Sequence, residues 1–244
     1  MDKQIADELL AQTRENYDSF AVSFSQTRDY VPENIVAFLE EFARRGDRVL
    51  DIGCGNGRLF PVFESKKTNY CGVDISSALI EIAGRKHPSA NFAVADALSL
   101  PFAAGAFDLA VSWAVLHHIP SDGYRRDFFR EAFRVLKPGG RFVVAVWDLR
   151  LETMIRKKQW RRLKSFLKSQ AKIMLGLQKL DRGDFFIPWQ NKYRRYHHAF
   201  SLPKLERTAK IAGFEIERSG TLDSGKKEAN LYIVAKKCEK DNGA

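Results

Sequence analysis

Apolar positions along the 244-residue chain change their spacing several times, and each change marks an element. Residues 33–45 repeat apolar side chains at three and four, which predicts an amphipathic helix ending at Gly46. Residues 48–52 (RVLDI) form a short apolar run that stops in glycines. Further runs at 69–75, 91–95, 107–112 and 141–147 predict four more strands. Helices are predicted between them at 77–86, before Pro88, and at 122–136, before Lys137-Pro138-Gly139-Gly140. Near-continuous apolar strands alternating with helices predict a parallel sheet covered on both faces. A helix over 203–212 and strands at 214–219 and 230–236 close the pattern, around a loop with Asp223-Ser224-Gly225. The tail 238–244 is expected to fray. This length and rhythm predict a single domain over 1–244.

One stretch breaks the rhythm. Between 150 and 185 the residues Leu151, Met154, Ile155, Leu163, Phe166, Leu167, Met174 and Leu177 recur at helical spacing with basic residues between them. The net charge of +10 sits here. Residues 150–195 hold 14 Lys/Arg against three acids, so the rest of the chain is almost neutral. A basic amphipathic helical insert on a neutral body predicts a polyanionic partner. Phosphate backbone is the stronger reading, and an anionic membrane surface or a merely solvated face are the others.

Composition removes other classes. The 45% hydrophobic and 29% charged residues exclude a disordered chain. No apolar run is long enough to span a membrane. MDKQIADELL has no basic head followed by an apolar stretch, so a cytoplasmic location is expected. Cys54, Cys71 and Cys238 are odd in number and lack metal-ligand spacing, so neither disulfides nor a metal site is expected.

The sharpest chemistry is Asp51-Ile52-Gly53-Cys54-Gly55-Asn56-Gly57, directly after a strand. Alternating glycines allow a tight turn and close approach to a ligand. Asp74 ends the next strand, where a carboxylate takes ribose hydroxyls, and Asp96 ends the third. The spacing differs from the dinucleotide form, and no P-loop lysine follows. An adenosyl ligand without pyrophosphate fits.

VLDIGCGNG, GVDIS, ADALSLPF, FDLAVS and FREAFRVLKPGGRFVVAVW resemble the class I S-adenosylmethionine-dependent methyltransferases over residues 47–147. The resemblance implies an α/β, Rossmann-like, seven-stranded, mostly parallel sheet with helices on both faces. The final strand pair is a reversed hairpin, and the basic insert follows the fifth strand. It implies that Gly53, Gly55 and Gly57 pass under the methionine part of the cofactor, with Asp51 orienting the loop. Asp74 holds the ribose, with Ile75 beside the adenine. Asp96 and Ala97 meet the adenine edge, and Ser112 and Trp113 flank the sulfonium. Arg58 is expected outside the direct contacts. S-adenosyl-L-homocysteine is the implied product.

YDSFAVSFSQTRD at 17–29, WAVLHHI at 113–119, FIPW at 186–189, RYHHAF at 195–200 and Glu228-Ala229-Asn230 before the closing strand narrow the resemblance to the tRNA wobble-uridine methyltransferases. These esterify 5-carboxymethyluridine in the anticodon loop. The subfamily more often has two tyrosines before the histidine, where here Tyr196 is followed by His197 and His198. Eukaryotic members work with a small activating protein, an expected partner beside tRNA. Residues 1–31 are expected to form a helical extension covering the substrate site. Arg28, His117, Arg195, Tyr196 and His198 are the candidate catalytic residues. The arginines are expected to hold phosphate or one carboxylate oxygen, and Tyr196 and His198 to orient or stack on the acceptor. His117 is preferred over His118, and His198 over His197. A packing role is the alternative for His117, helix capping for Arg28, and a core position for a stacking Trp189. The rival function is a methyltransferase of quinones, lipids or metabolites, since one fold serves many acceptors.

Overall fold

The computed structural model describes residues 1–190, 192–223 and 228–238. The expected frayed tail after Cys238 and the loop after Asp223 lie outside these residues. Five parallel strands build the sheet: β1 (Arg48–Ile52), β2 (Asn69–Asp74), β3 (Asn91–Val94), β4 (Phe107–Trp113) and β5 (Leu136–Trp147). Two more, β8 (Phe214–Asp223) and β9 (Ala229–Lys237), complete the order β3-β2-β1-β4-β5-β9-β8. β9 pairs antiparallel to β5 and β8 antiparallel to β9, which gives the reversed terminal hairpin.

Side chains alternate across a strand, and both faces here are apolar. Leu50, Ala110, Phe142, Val144 and Val146 pack under α6 (Asp122–Val135) and α9 (Leu202–Ile211), with Phe128, Phe129 and Leu205. Their neighbours Val49, Leu109, Val111, Val143 and Ala145 face Ile35, Phe38 and Phe63 on the other side. Those residues come from α3 (Glu33–Glu40) and α4 (Phe60–Ser65).

Element ends differ from the sequence pattern for local reasons. The helix expected to Gly46 stops at Glu40, and the Asp47 carboxylate accepts from the Arg44 N–H at 2.8 Å to form a turn instead. α6 stops at Val135 because Leu136 already pairs with Phe107 as the start of β5. α5 (Ser77–Lys86) begins on a Ser76 cap, whose hydroxyl accepts from the Leu79 N–H.

The N-terminal segment forms α1 (Lys3–Ser19) and α2 (Ala21–Gln26). It is fastened to the sheet's ligand-binding edge. The Asp18 carboxylate accepts from Ser76 Oγ at 2.6 Å and from the Ala78 N–H. Asn56 Nδ2, in the glycine loop, donates to Ser25 Oγ at 3.1 Å.

The insert begins as expected, with α7 (Leu151–Arg156) and α8 (Trp160–Met174). It does not remain helical to 185. A separate two-stranded sheet follows, β6 (Asp184–Trp189) antiparallel to β7 (Tyr193–His198). α8 leans on it, with Gln170 donating to the Asp184 carbonyl and accepting from the Gly183 N–H. Trp147, Leu149, Phe185 and Ile187 form the small core beneath. No helix among the described residues is long and apolar enough to cross a membrane.

Candidate active site

A cavity of about 330 Å³ opens at the C-terminal ends of the parallel strands, where open α/β sheets bind ligands. Gly53, Gly55, Asp74, Ile75, Asp96, Ala97 and Trp113 all line it. Gly53 has φ +77°, and a Cβ there would come within 2.3 Å of a Val115 methyl. Only glycine lets the chain turn at this point. Asp74 accepts from the Gly55 and Ser76 N–H groups, each at 2.9 Å. Burial raises its pKa against those two donors, and its remaining lone pairs suit vicinal hydroxyls. A close backbone cradle beside a carboxylate at the end of β2 fits an adenosyl ligand.

Three residues expected at the cofactor stand one layer back. Asp51 accepts from the Tyr70 hydroxyl at 2.7 Å, and burial pushes its pKa up to about 7. Ser112 points to the face opposite Trp113 and donates to the Ile52 carbonyl at 2.9 Å, tying β4 to β1. Gly57 turns beneath the rings of Phe92 and His87. Each supports the loop without lining the cavity. Arg58, expected outside, does line it; burial and the nearby Arg28 lower its pKa.

The second half of the cavity is built by the N-terminal helices, the turn after β4, and β7. Tyr17, Phe24, Arg28, His118, Trp147, Arg195, Glu228 and Asn230 line it. Three guanidinium groups surround the Trp147 indole: Arg162 at 4.5 Å, Arg195 at 5.7 Å and Arg28 at 6.0 Å from the ring centre. Arg162 also bonds Glu228, while Arg28 donates to the Thr27 carbonyl. Arg195 differs from both. It is only 5% exposed, yet its Nε and Nη1 have no hydrogen-bond partner among the described residues. The Tyr17 hydroxyl meets the guanidinium, but two buried donor nitrogens without acceptors are costly, and this group borders the cavity.

The histidines fall differently from the expectation. The 3₁₀ turn Leu116–His118 brings His118, not His117, to the cavity wall. His118 Nδ1 donates to the Tyr196 carbonyl at 2.9 Å, so its Nε2 accepts from the Tyr17 hydroxyl at 2.8 Å. Burial and Arg195 lower its pKa to about 3, so the ring is neutral. His117 lies behind, packed on Trp147 and His197.

Tyr196 and His198, both proposed to meet the acceptor, do not reach the cavity. In β7 their side chains join a buried ionic group below it. Arg125 donates to the Tyr196 hydroxyl at 2.7 Å and to Asp184 at 3.3 Å, and His198 Nδ1 donates to Asp184 at 2.6 Å. Burial and Arg125 hold the His198 pKa down at about 4 despite Asp184. Trp189 is also outside the cavity, with Arg195 over its ring at 4.7 Å. Tyr17 and Arg28 came from the YDSFAVSFSQTRD segment. Glu228 and Asn230 lie in the Glu228-Ala229-Asn230 stretch that shares the resemblance, and Trp147 closes FREAFRVLKPGGRFVVAVW, but the sequence assigns none of the three a role.

A family model described as a methyltransferase domain matches residues 24–219. The tRNA (carboxymethyluridine(34)-5-O)-methyltransferase of Arabidopsis thaliana is 38% identical over 59% of this chain and 34% of its own length. This chain therefore spans about a third of that relative. The Schizosaccharomyces pombe protein of the same name is 28% identical over 91% of this chain and 94% of its own. A crystal structure of an S-adenosylmethionine-dependent methyltransferase from Methanosarcina mazei superposes with a TM-score of 0.70 at 26% identity. It covers 83% of this chain and 98% of that one. The glycine cradle and Asp74 fit the methyl donor of such a fold, and the reversed terminal hairpin matches its sheet order. The chain belongs to the methyltransferase-domain family and is an enzyme whose cofactor is S-adenosylmethionine.

Proposed function

We propose that the chain methylates tRNA, forming a methyl ester on the carboxymethyl group of a modified wobble uridine. The observation that carries this reading is Arg195. A nearly buried guanidinium with two free donors, in the half of the cavity away from Asp74, suits an anionic acceptor. The names of the Arabidopsis and S. pombe relatives support the carboxymethyluridine acceptor.

The cofactor supplies a methyl group already activated by a sulfonium, held by Asp74 and the Gly53–Gly55 backbone. What remains for the chain is alignment. A carboxylate has a pKa of about 4 and is ionised at neutral pH, so no general base is required. The neutral His118 accordingly acts as a wall and a hydrogen-bond relay to Tyr17. Esterification removes the acceptor's charge, so tight pairing at both oxygens would favour the ground state and slow the reaction. Arg195 holds one oxygen and leaves the other free to attack. Its flanking indoles, Trp147 and Trp189, keep it in place without a carboxylate competitor. The tRNA backbone lies along the basic segment 150–195, and a small activating protein is a further partner of this reading.

The test is methyl transfer from labelled S-adenosylmethionine to tRNA from a strain lacking this protein, followed by nucleoside digestion and mass analysis. An alkali-labile methyl ester on carboxymethyluridine is expected. Arg195→Ala should lose at least about a hundredfold in turnover while binding S-adenosylmethionine as before. Label in lipid or metabolite extracts, with none in tRNA even when the activating partner is added, would overturn the reading.

A further inference from the structure

Behind the acceptor half of the cavity, the 3₁₀ turn and β7 bring three imidazoles together. His117, His118 and His197 are buried, and one ring nitrogen from each lies within 4.8 Å of the others. Their ring centres are 4.4, 4.5 and 5.3 Å apart. Methyl transfer to an ionised carboxylate needs no such cluster.

Two features accompany the convergence of the three rings, a convergence that His198 does not share. His117 Nε2 and His197 Nε2 are buried with no hydrogen-bond partner among the described residues, and buried polar atoms ordinarily find one. The other ring nitrogens are meanwhile anchored. His118 Nδ1 and His197 Nδ1 lie 2.9 and 3.0 Å from the carbonyls of Tyr196 and Arg195. A carbonyl only accepts, so each Nδ1 carries the proton and each Nε2 presents a lone pair. Metal-ligating histidines are fixed in the same way by an outer hydrogen bond to a carbonyl. Burial keeps all three rings neutral, the form that ligates.

We propose that His117, His118 and His197 form a binding site for a transition-metal dication of the zinc type. Three imidazoles suit Zn²⁺, which takes nitrogen ligands at about 2.0–2.1 Å and leaves a fourth position open. The rings must close by about 1 Å to reach those lengths. His118 exchanges its bond from the Tyr17 hydroxyl for the metal. His117 is the opposite tautomer, its Nδ1 accepting from the Trp147 N–H at 3.3 Å and its Nε2 carrying the proton. It ligates through Nε2 only after that proton moves to Nδ1 and the bond is lost. Arg195 opposes a second cation here, and an anion shared between the metal and its free donors offsets that repulsion. The site stands on this geometry and is independent of which acceptor the enzyme methylates.

The experiment is calorimetric titration of the metal-stripped full-length protein with ZnCl₂, with Co²⁺ absorption as a second readout of tetrahedral geometry. One equivalent is expected to bind. His197→Tyr keeps an aromatic ring against Trp147, and the resembling subfamily more often carries tyrosine there. It should weaken Zn²⁺ by at least about tenfold, as should His117→Phe. His87→Gln, away from the trio, should bind Zn²⁺ as the parent does. Absence of a saturable equivalent, or equal affinity in His197→Tyr and His117→Phe proteins shown by circular dichroism to be folded, would overturn the proposal.

Discussion

Gly53 shows how one missing methyl group shapes the cofactor half of the cavity. Its φ of +77° costs a side-chain-bearing residue about 1 kcal/mol or more. A Cβ 2.3 Å from Val115 adds a steric cost that the backbone must relieve by moving. Gly53→Ala should therefore lose about 2–4 kcal/mol of stability and most of its affinity for S-adenosylmethionine. The two costs separate experimentally. Adding Val115→Ala removes the two methyl clashes but leaves a tight 3.1 Å approach of the Cβ atoms and the backbone strain, so urea unfolding should recover only part of the loss. Full recovery, or no loss in the single variant, would refute this account. Residues of this kind were legible because glycine spacing after a strand encodes a backbone path. The acceptor residues were less so. Arg195 could be singled out from RYHHAF, but which face of β7 His197 and His198 take is a matter of register, and neither lines the cavity. Register in β7 is set by Asp184 and Arg125, which are distant in sequence.

At the scale of elements, helical periodicity made α8 legible but said nothing of which basic residues face outward. Arg161, Lys164 and Lys168 are exposed on its outer face, interspersed with Trp160 and Leu167. Arg162 turns inward over Trp147 and toward Glu228. The two faces predict different behaviour. Replacing the three outward residues by Gln should weaken tRNA binding and lower the slope of log affinity against log salt by about 2–3. Arg162→Gln should leave that slope nearly unchanged and lower turnover, because it disturbs the indole beside Arg195. Filter binding across a salt series measures the first, and single-turnover methylation the second. An unchanged slope in the triple variant would place the RNA on another surface. The β6–β7 hairpin escaped the sequence pattern for a physical reason. Tyr193–His198 reads as a polar, basic stretch, and on its inner face Arg125 and Asp184 meet the Tyr196 hydroxyl and His198 Nδ1 from distant parts of the chain.

The molecule as a whole buries an unusual set of neutral imidazoles, and its stability must follow them. His118 and His198 have pKa values of about 3 and about 4, and those of His117 and His197 are well below the ordinary value of 6.5. On unfolding, all four return to that ordinary value. Between pH 6.5 and about 4 the unfolded chain therefore binds protons that the folded chain refuses, and stability falls as pH falls through that window. Asp51 works the other way. Its folded pKa of about 7 means the native state holds a proton that the unfolded state releases down to the ordinary carboxylate range, and Asp74 shifts in the same direction. Four imidazoles against two carboxylates leave the unfolded state with the greater proton uptake. Each uncompensated proton is worth about 1.4 kcal/mol per pH unit. Urea midpoints measured with a chelator present should thus drop steadily from pH 7 to pH 5. His197→Tyr removes one of the four groups, so its midpoint should fall less steeply than the parent's. A midpoint that holds level or rises on acidification would mean that the imidazoles are charged in the folded protein. The neutral wall beside Arg195 would then be wrong.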